Sequence, residues 1–435
     1  MRMRLSDVAA ATGGRLIGAD VLISGTTIDS RTISGGELFV PIVAARDGHD
    51  FVEAAVAAGA AAHLTADASV VHGDAVVVDD TERALTALGD WARDKLPDRV
   101  VGITGSVGKT STKDLVAAAL EGSRRVHVSY RSFNNELGVP LTLLGAPDDV
   151  DVVVVEMGAR GAGHIAALCR VARPTIGVVT RVGAAHTELF GSIESVADAK
   201  AELIDALPVW GTAVLNVDDP AVAAMAARAA GDVVAYGMET GDVRAVDITL
   251  DDRLRPSFTV VSPWGDHHVR LGTAGLQNVS NALGALAVAG IMGVGIADAA
   301  AGLGTVEMSP WRMDVRRSRC GALVINDAYN ANPMSVDAAL RSLAAVTARR
   351  KVAVLGLMAE LGDEHDRAHA DMGELARSLG IEVISVDEPG YGGTAVTDIA
   401  GAAEALGELD ADDAVLVKGS RVAGLERLAD RLLAD

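Results

Sequence analysis

The sequence predicts an α/β protein of three domains built on parallel sheets, and three observations carry that expectation. Apolar runs of strand length alternate with helical patterns along most of the chain. A glycine-rich turn joins one such run directly to a helix. The 435 residues suffice for roughly two to four domains with cores of their own.

The elements divide into three segments. Residues 1–80 alternate short strands with alanine-rich helical stretches and close on "DAVVVDD", which makes a small N-terminal α/β domain. From "TERALTALGDWARDKL" a central domain, 81–309, sets the strand-like runs "RVVGIT", "VDVVVVEMGA", "PTIGVVTRVG" and "GTAVLNVDDP" between helical patterns, as in a helix-covered parallel sheet. After "MSPWRMD" the pattern restarts with "GALVINDAYNANP", "RKVAVLGLMAE" and "DAVLVKGSR". Each is a strand followed by a loop and a helix, which predicts a Rossmann-like C-terminal domain over 310–435. No internal repeat, low-complexity tract or long structureless linker interrupts the order.

Charge and composition narrow the function. A net charge of −21 repels nucleic acid and anionic membranes, so anionic small molecules must meet locally basic or dipolar pockets. No apolar run reaches the ~18 residues of a membrane span, and "MRMRLSDVAAATGG" breaks at Asp7 before any signal-peptide core. The expectation is a cytoplasmic monomer with no nucleic-acid partner and no membrane insertion. Cys169 and Cys320 lie far apart without metal-ligand spacing and are expected as two buried thiols of a reducing compartment.

The chemistry collects first in "GITGSVGKTSTKD", Gly102 to Asp114. The general phosphate loop reads G-x-x-x-x-G-K-[ST], but here Ile103 stands where its first glycine belongs, leaving Gly105, Ser106, Val107, Gly108, Lys109, Thr110 and Ser111. Two glycines let backbone N–H groups turn toward an anion, the next helix offers its positive end, and Lys109 and Thr110 can serve phosphate oxygens and Mg²⁺. A Gly/Ser/Thr turn closing a strand is common in itself. Lys-Thr directly before a helix points to a nucleotide, and the lost glycine to a subclass of such loops.

Ligands of open parallel sheets bind at the carboxyl ends of strands, where Thr110, Glu156, His186 and Lys200 fall or follow. Glu156 reads either as a strand-end carboxylate facing water or as an Mg²⁺ ligand. His186 reads as a hydrogen-bonded structural histidine or, with company, a ligand. In "SIESVADAKAELIDALP" a helix puts Val196, Lys200, Leu203 and Leu207 on one apolar stripe, so the lysine points inward. The favoured reading is a snorkelling side chain whose ammonium reaches water. The alternative is an environment that neutralises, pairs or chemically modifies it, because an unpaired buried charge costs several kcal/mol.

Taken together, "DSR" at Asp29–Arg31 with "RDGHDF", "GSVGKTS", "SFNNELGVPLTLL", "VEMGAR", "AHTELFGS", "ADAKAEL", "NVSNALGALA", "NDAYNANPMSVDAAL" and "LMAELGDEHDRAH" follow in an order that resembles the Mur ligases. These ATP-dependent enzymes extend the peptide of the bacterial cell-wall precursor, and the resemblance spans nearly all of the chain. It implies that ATP phosphorylates a carboxylate to an acyl phosphate, which an incoming amine then attacks. The carboxylate would be that of a UDP-N-acetylmuramoyl-tripeptide and the amine that of D-alanyl-D-alanine.

The resemblance also implies roles. Thr110 and Glu156 would hold one Mg²⁺, and His186 with a carbamylated Lys200 the second; Lys109, His186 and Lys200 would be catalytic. Asn278 and Asn281 would meet the adenine, although two asparagines on a helical face also read as caps or solvent-facing groups. Arg312 and Asp327 would reach the nucleotide from the C-terminal domain. Tyr329, Asn330 and Asn332, before a helix opening at Pro333, would complete the substrate site with Asn134 and Asn135. Ser30, Arg31 and His49 would contact the UDP moiety, making the first segment a UDP-binding domain, although "DSR" alone is merely a turn.

Departures from the family pattern touch the nucleotide contacts. Gln277 stands in place of a frequent histidine, Asn326 of an acid, Trp311 of a glycine before Arg312, and Arg181 and Ala184 of an asparagine and an acid. The competing readings are a ligase adding the third amino acid, a folate glutamate ligase and a catalytically silent nucleotide-binding regulator. "DAYNANP" in place of a histidine-containing loop and the absence of an Asp-Asn-Pro-Arg stretch oppose the first. The "DSR" and "DGH" segment opposes the second, and the retained Lys109, Thr110, Glu156, His186 and Lys200 oppose the third.

Overall fold

The computed structural model of the chain describes residues 1–183 and 190–434, where the described strands form three main sheets in a mixed α/β architecture. The central sheet carries the phosphate loop. Its strand Val100–Thr104 lies parallel between Ile176–Val179 and Val152–Glu156. Every residue of Val152–Glu156 is buried, as expected of a strand covered on both faces. Val152 and Val154 pack toward the helices Lys109–Glu121 and Gln277–Ile291, while Val153 and Val155 pack toward Thr81–Arg93, Gly138–Gly145 and His164–Ala172. Ile103 sits in the first of these cores, so the position of the missing glycine is still strand and the turn starts two residues later.

The second face also receives the N-terminal segment. Met3, Leu5, Val8, Leu38, Leu64 and Val76 share one core with Leu85, Leu88, Val139, Val153 and Ile165. The N-terminal sheet orders Arg15–Ile17, Ala75–Val77, Ala62–Thr65, Glu37–Phe39 and Gly25–Thr27, parallel except at its Arg15–Ile17 edge. The helix Thr81–Arg93, capped by the Asp80 carboxylate on the Glu82 and Arg83 amides, is the joint between the two bodies.

At its far edge the central sheet continues as Val243–Leu250, Pro256–Val261 and His267–Arg270, which pair antiparallel. The strand-helix alternation had not placed these strands. Pro256–Val261 alternates buried with half-buried residues, the period-two pattern of a sheet with one face toward water. The third sheet orders Asp314–Arg317, Leu323–Asn326, Asp413–Lys418, Arg350–Leu355, Glu382–Val386 and Thr394–Val396, with only the first pair antiparallel.

One expectation about cysteine is corrected. Cys169 is buried, and burial pushes its thiol up to about 12, but Cys320 is exposed. It occupies the turn between the antiparallel strands Asp314–Arg317 and Leu323–Asn326, where no core covers it. No helix among the described residues is long and apolar enough to cross a membrane.

Candidate active site

The carboxyl ends of the central strands open on a cavity of about 770 Å³ lined from all three segments. The phosphate loop forms one wall. Gly105 takes φ +144°, and a Cβ there would lie 2.0 Å from Thr180 Oγ1; Gly108, at φ +85°, directly precedes the helix Lys109–Glu121. Only glycine meets both demands, which is why the loop keeps these two. Ser106 is anchored across the sheet, its amide donating to Arg181 O at 2.6 Å and its hydroxyl to Gly183 O at 3.1 Å. The loop's backbone is fixed before any anion arrives.

Beneath it Thr110, Glu156 and Asn134 interlock. The Thr110 hydroxyl donates to Glu156 Oε2 and the Asn134 amide to Glu156 Oε1, each at 2.8 Å. Ser129 Oγ accepts the Glu156 amide at 3.1 Å. Glu156 is only 1 % exposed, which decides between the two sequence readings against the solvent-facing carboxylate. Lys109 Nζ donates to Gly105 O at 2.6 Å, and burial, with Arg312 adding against the opposing pull of Glu156, holds the amine below the ordinary lysine range.

Lys200 faces the same cavity from the helix Ile193–Asp205. The apolar stripe is real, since Val196, Leu203 and Leu207 are all buried. The side chain does not snorkel, because Lys200 is 2 % exposed. Its Nζ makes no hydrogen bond among the described residues and lies 6.0 Å from the Phe190 ring centroid. Burial first, then the charge of Lys109, pushes its pKa down to about 7 against Glu202, so much of the amine is neutral at physiological pH. His186 and Ala184 lie outside the described residues.

The C-terminal segment closes the opposite wall. Arg312 donates from Nη2 to Thr110 Oγ1 at 2.9 Å, and its guanidinium lies 4.1 Å from the Tyr329 ring centroid. The Tyr329 hydroxyl meets Ser132 Oγ across the cavity. Asp327 accepts from the Met313 amide at 3.0 Å and pairs with Lys418 Nζ, which also donates to Asn330 O at 3.0 Å. Asn332 lines the cavity but also caps the helix Pro333–Ala345, accepting from the Ser335 amide at 2.9 Å.

Asn278 and Asn281 are buried at the start of the helix Gln277–Ile291, not solvent-facing. Asn281 Nδ2 donates to Asn278 Oδ1 at 2.9 Å, and its Oδ1 accepts from Thr112 at 3.2 Å beside Gly108. Ser111 lines the wall, as does Asn135, whose side chain accepts from the Gly138 amide at 2.9 Å. The cavity lining does not include Ser30, Arg31 or His49; Ile28 is its contribution from the N-terminal segment. Arg31 pairs with Asp29 at 2.7 Å and its side chain is 87 % exposed. His49 has both ring nitrogens engaged, Nδ1 with Asp47 at 2.7 Å and Nε2 accepting from the Ala66 amide at 3.1 Å.

Two buried lysines escaped the sequence reading. Lys418 ends the strand Asp413–Lys418, and the strand-end rule applied to "DAVLVKGSR" would have found it. Lys113 donates to Ser129 O at 2.9 Å and Arg131 O at 2.8 Å, pinning the segment that carries Ser132 and Asn134. Its ion pair with the neighbouring Asp114, at 3.3 Å, is local, but the pinning role is not marked in "KTSTKD", because the carbonyls it holds lie 16 and 18 residues on.

Comparison with known proteins agrees with this arrangement. Residues 22–94 match the model described as Mur ligase family, catalytic domain, 103–289 that of the Mur ligase middle domain, and 311–421 that of the Mur ligase, glutamate ligase domain. The chain is 41 % identical to the UDP-N-acetylmuramoyl-tripeptide–D-alanyl-D-alanine ligase of Mycobacterium tuberculosis, over 95 % of this chain and 93 % of that one. It superposes on a crystal structure of MurF from Acinetobacter baumannii with a TM-score of 0.90 at 28 % identity, covering 100 % and 99 % of the two chains. MurF ligase from Thermotoga maritima in complex with ADP gives 0.83 at 28 % identity, covering 94 % and 96 %. With full-length likeness, three successive family segments and one cavity between the sheets, the chain belongs to the Mur ligase family.

Proposed function

We propose that this chain joins D-alanyl-D-alanine to a UDP-N-acetylmuramoyl-tripeptide, using ATP and passing through an acyl phosphate, as a cytoplasmic monomer. The observation that carries the reading is Arg312 reaching from the C-terminal segment onto Thr110 of the phosphate loop. That contact gathers cations of two segments around one cavity. The substrates come from the relatives, which bear that activity in their names over nearly the whole length of the chain.

The residues have tasks that follow from their placement. The Gly105–Thr110 amides and the helix N-terminus receive the ATP phosphates, and Lys109 and Arg312 offset charge as the tripeptide carboxylate oxygen attacks the γ-phosphorus and ADP leaves. The dipeptide nitrogen then forms the amide bond at the acyl carbon while inorganic phosphate departs and the nitrogen gives up its proton. Asp327, held by Lys418, and buried Asn278 and Asn281 are assigned to the nucleoside, and Ser132, Tyr329, Asn330 and Asn332 to closing the site. Ser30 and Arg31 are assigned to the UDP moiety. The part left to His49 is shaping that loop, since both its ring nitrogens are engaged.

The Thr110 hydroxyl and Glu156 carboxylate, converging at 2.8 Å on a buried floor, are the hard oxygen donors that suit Mg²⁺. When bound there, Mg²⁺ would neutralise phosphate charge and polarise the transferring group. Lys200, a buried amine driven toward its neutral form, would add CO₂ and release a proton to become an anionic carbamate that, with His186, would supply a second set of oxygen and nitrogen donors.

The test is product identification by mass after incubation with ATP, Mg²⁺, D-alanyl-D-alanine and either lysine- or diaminopimelate-containing UDP-tripeptide. The expected result is UDP-pentapeptide, with multiple-turnover ADP formation only when both substrates are present. Sustained ADP release over many turnovers without the dipeptide, or a product extended by a single amino acid, would overturn the proposal.

A further inference from the structure

Arg312 lies between two residues of left-handed backbone, neither of them glycine. Trp311 has φ +61° and Met313 has φ +50°. Bulky L-residues rarely hold this conformation, and a turn that holds it twice must be over-determined by its surroundings. Met313 is fixed by burial in the core of the third segment and by its amide on Asp327 Oδ1 at 3.0 Å. The Trp311 carbonyl accepts from the Tyr329 amide at 3.2 Å. The indole itself is covered by the guanidinium of Arg421, 4.3 Å from the ring centroid.

Arg421 is held in turn, paired to Glu426 Oε1 at 2.6 Å. It lies three positions beyond Lys418, whose ammonium grips Asp327 and Asn330. Arg312, by contrast, has no carboxylate partner among the described residues. Among the described residues its Nε is buried without a hydrogen bond, and it is held by Thr110 and the Tyr329 face alone. A guanidinium so lightly tethered keeps its aim only if the backbone beneath it does not turn.

We infer that Trp311, stacked under Arg421, is a positioning residue that locks the left-handed turn and aims Arg312 at the phosphate loop. The stack ties the aim of Arg312 to the loop after Lys418, so the nucleotide contact and the closing wall move as one piece. A glycine would accept the same φ without strain but would leave the turn free to swing.

The inference rests on the ATP-dependent reading above, which turnover by the wild-type chain tests separately. The test is a double-mutant cycle of Trp311→Gly and Arg312→Ala, following kcat/KM for ATP and KM for the UDP-tripeptide. Trp311→Gly should keep the thermal midpoint, because the turn tolerates glycine. It should lower kcat/KM for ATP about fivefold, the upper range of a solvent-exposed cation–π contact that fixes the aim of the turn. KM for the UDP-tripeptide should stay unchanged. In the Arg312→Ala background the same substitution should have no further effect. Arg421→Ala should reproduce the loss, and Trp311→Phe or Arg421→Lys, which preserve the stack, should restore most of it. An unchanged kcat/KM in Trp311→Gly, or full additivity with Arg312→Ala, would overturn the inference and leave the ATP-dependent reading standing.

Discussion

The floor of the cavity and the Asp29–Phe51 loops of the N-terminal segment put similar polar groups to opposite uses. On the floor, Glu156 is reached by Thr110, 46 residues away, and Asn134, 22 residues away, with almost no solvent. In the loops, Arg31 meets Asp29 and His49 meets Asp47, each two residues away, with the Arg31 side chain and the Asp47 carboxylate open to solvent. The floor is organised by the fold before any ligand binds, so altering it should remove chemistry. The loop pairs are local, so altering them should weaken recognition and leave chemistry intact.

The sharpest way to break this contrast is at Lys200. Lys200→Ala should lose on the order of a thousandfold in turnover, the scale of a lost charge-stabilising group. Formate or acetate should restore part of it by supplying carboxylate oxygens in the vacated space, and near-normal turnover would rule out the carbamate. Stability should move the other way in Lys200→Met. The amine falls from an ordinary 10.5 to about 7, so between those values the unfolded chain binds a proton that the folded chain does not. Wild-type stability therefore rises with pH across that window. The variant should be the more stable protein near pH 7 in CO₂-free buffer, by an advantage that shrinks toward pH 10. Denaturant titration at both pH values measures it.

In the loops the expected effect is smaller and of another kind. Arg31→Ala should raise KM for the UDP-tripeptide about tenfold, the size of one charge-assisted contact, without changing kcat or the thermal midpoint. The existing Arg31–Asp29 pair is too exposed to contribute much to stability. A fall in kcat would place Arg31 with the chemistry and erase the contrast.

Much of this was legible in the sequence because the decisive signals are local. The run of Val152–Glu156 is continuous because both its faces are covered, and Gly105 and Gly108 are glycines for reasons of φ and space. The inward stripe of Val196, Lys200 and Leu203 could be read from helical spacing. Whether the ammonium escaped to water could not, because that depends on neighbours brought by other elements. The same limit hid the burial of Asn281, whose partner Thr112 lies 169 residues away, and the three antiparallel strands of 243–270, whose half-exposed alternation breaks the strand-helix rhythm.

The smallest expected effect is an acid limb of stability set by histidines outside both regions. His63, His127 and His369 are each held below the ordinary histidine range, chiefly by burial. The unfolded chain therefore takes up protons first. Their contribution is complete above pH 6.5 and is lost as pH falls through the window beneath it. In His369→Gln the side-chain oxygen can still accept from the Met358 amide, now bonded to Nε2 at 3.0 Å, so this variant should show a shallower decline of thermal midpoint between pH 7 and 5.

The division between chemistry on the floor and recognition in the loops is tested most directly by one variant measured twice. Lys109→Ala should lose about a thousandfold or more in turnover if the loop ammonium serves the ATP phosphates as proposed. In calorimetric titration with UDP-tripeptide alone, the same protein should bind with an affinity within about threefold of wild type, a change worth under 1 kcal/mol. Parallel loss of turnover and UDP-tripeptide binding would contradict the account.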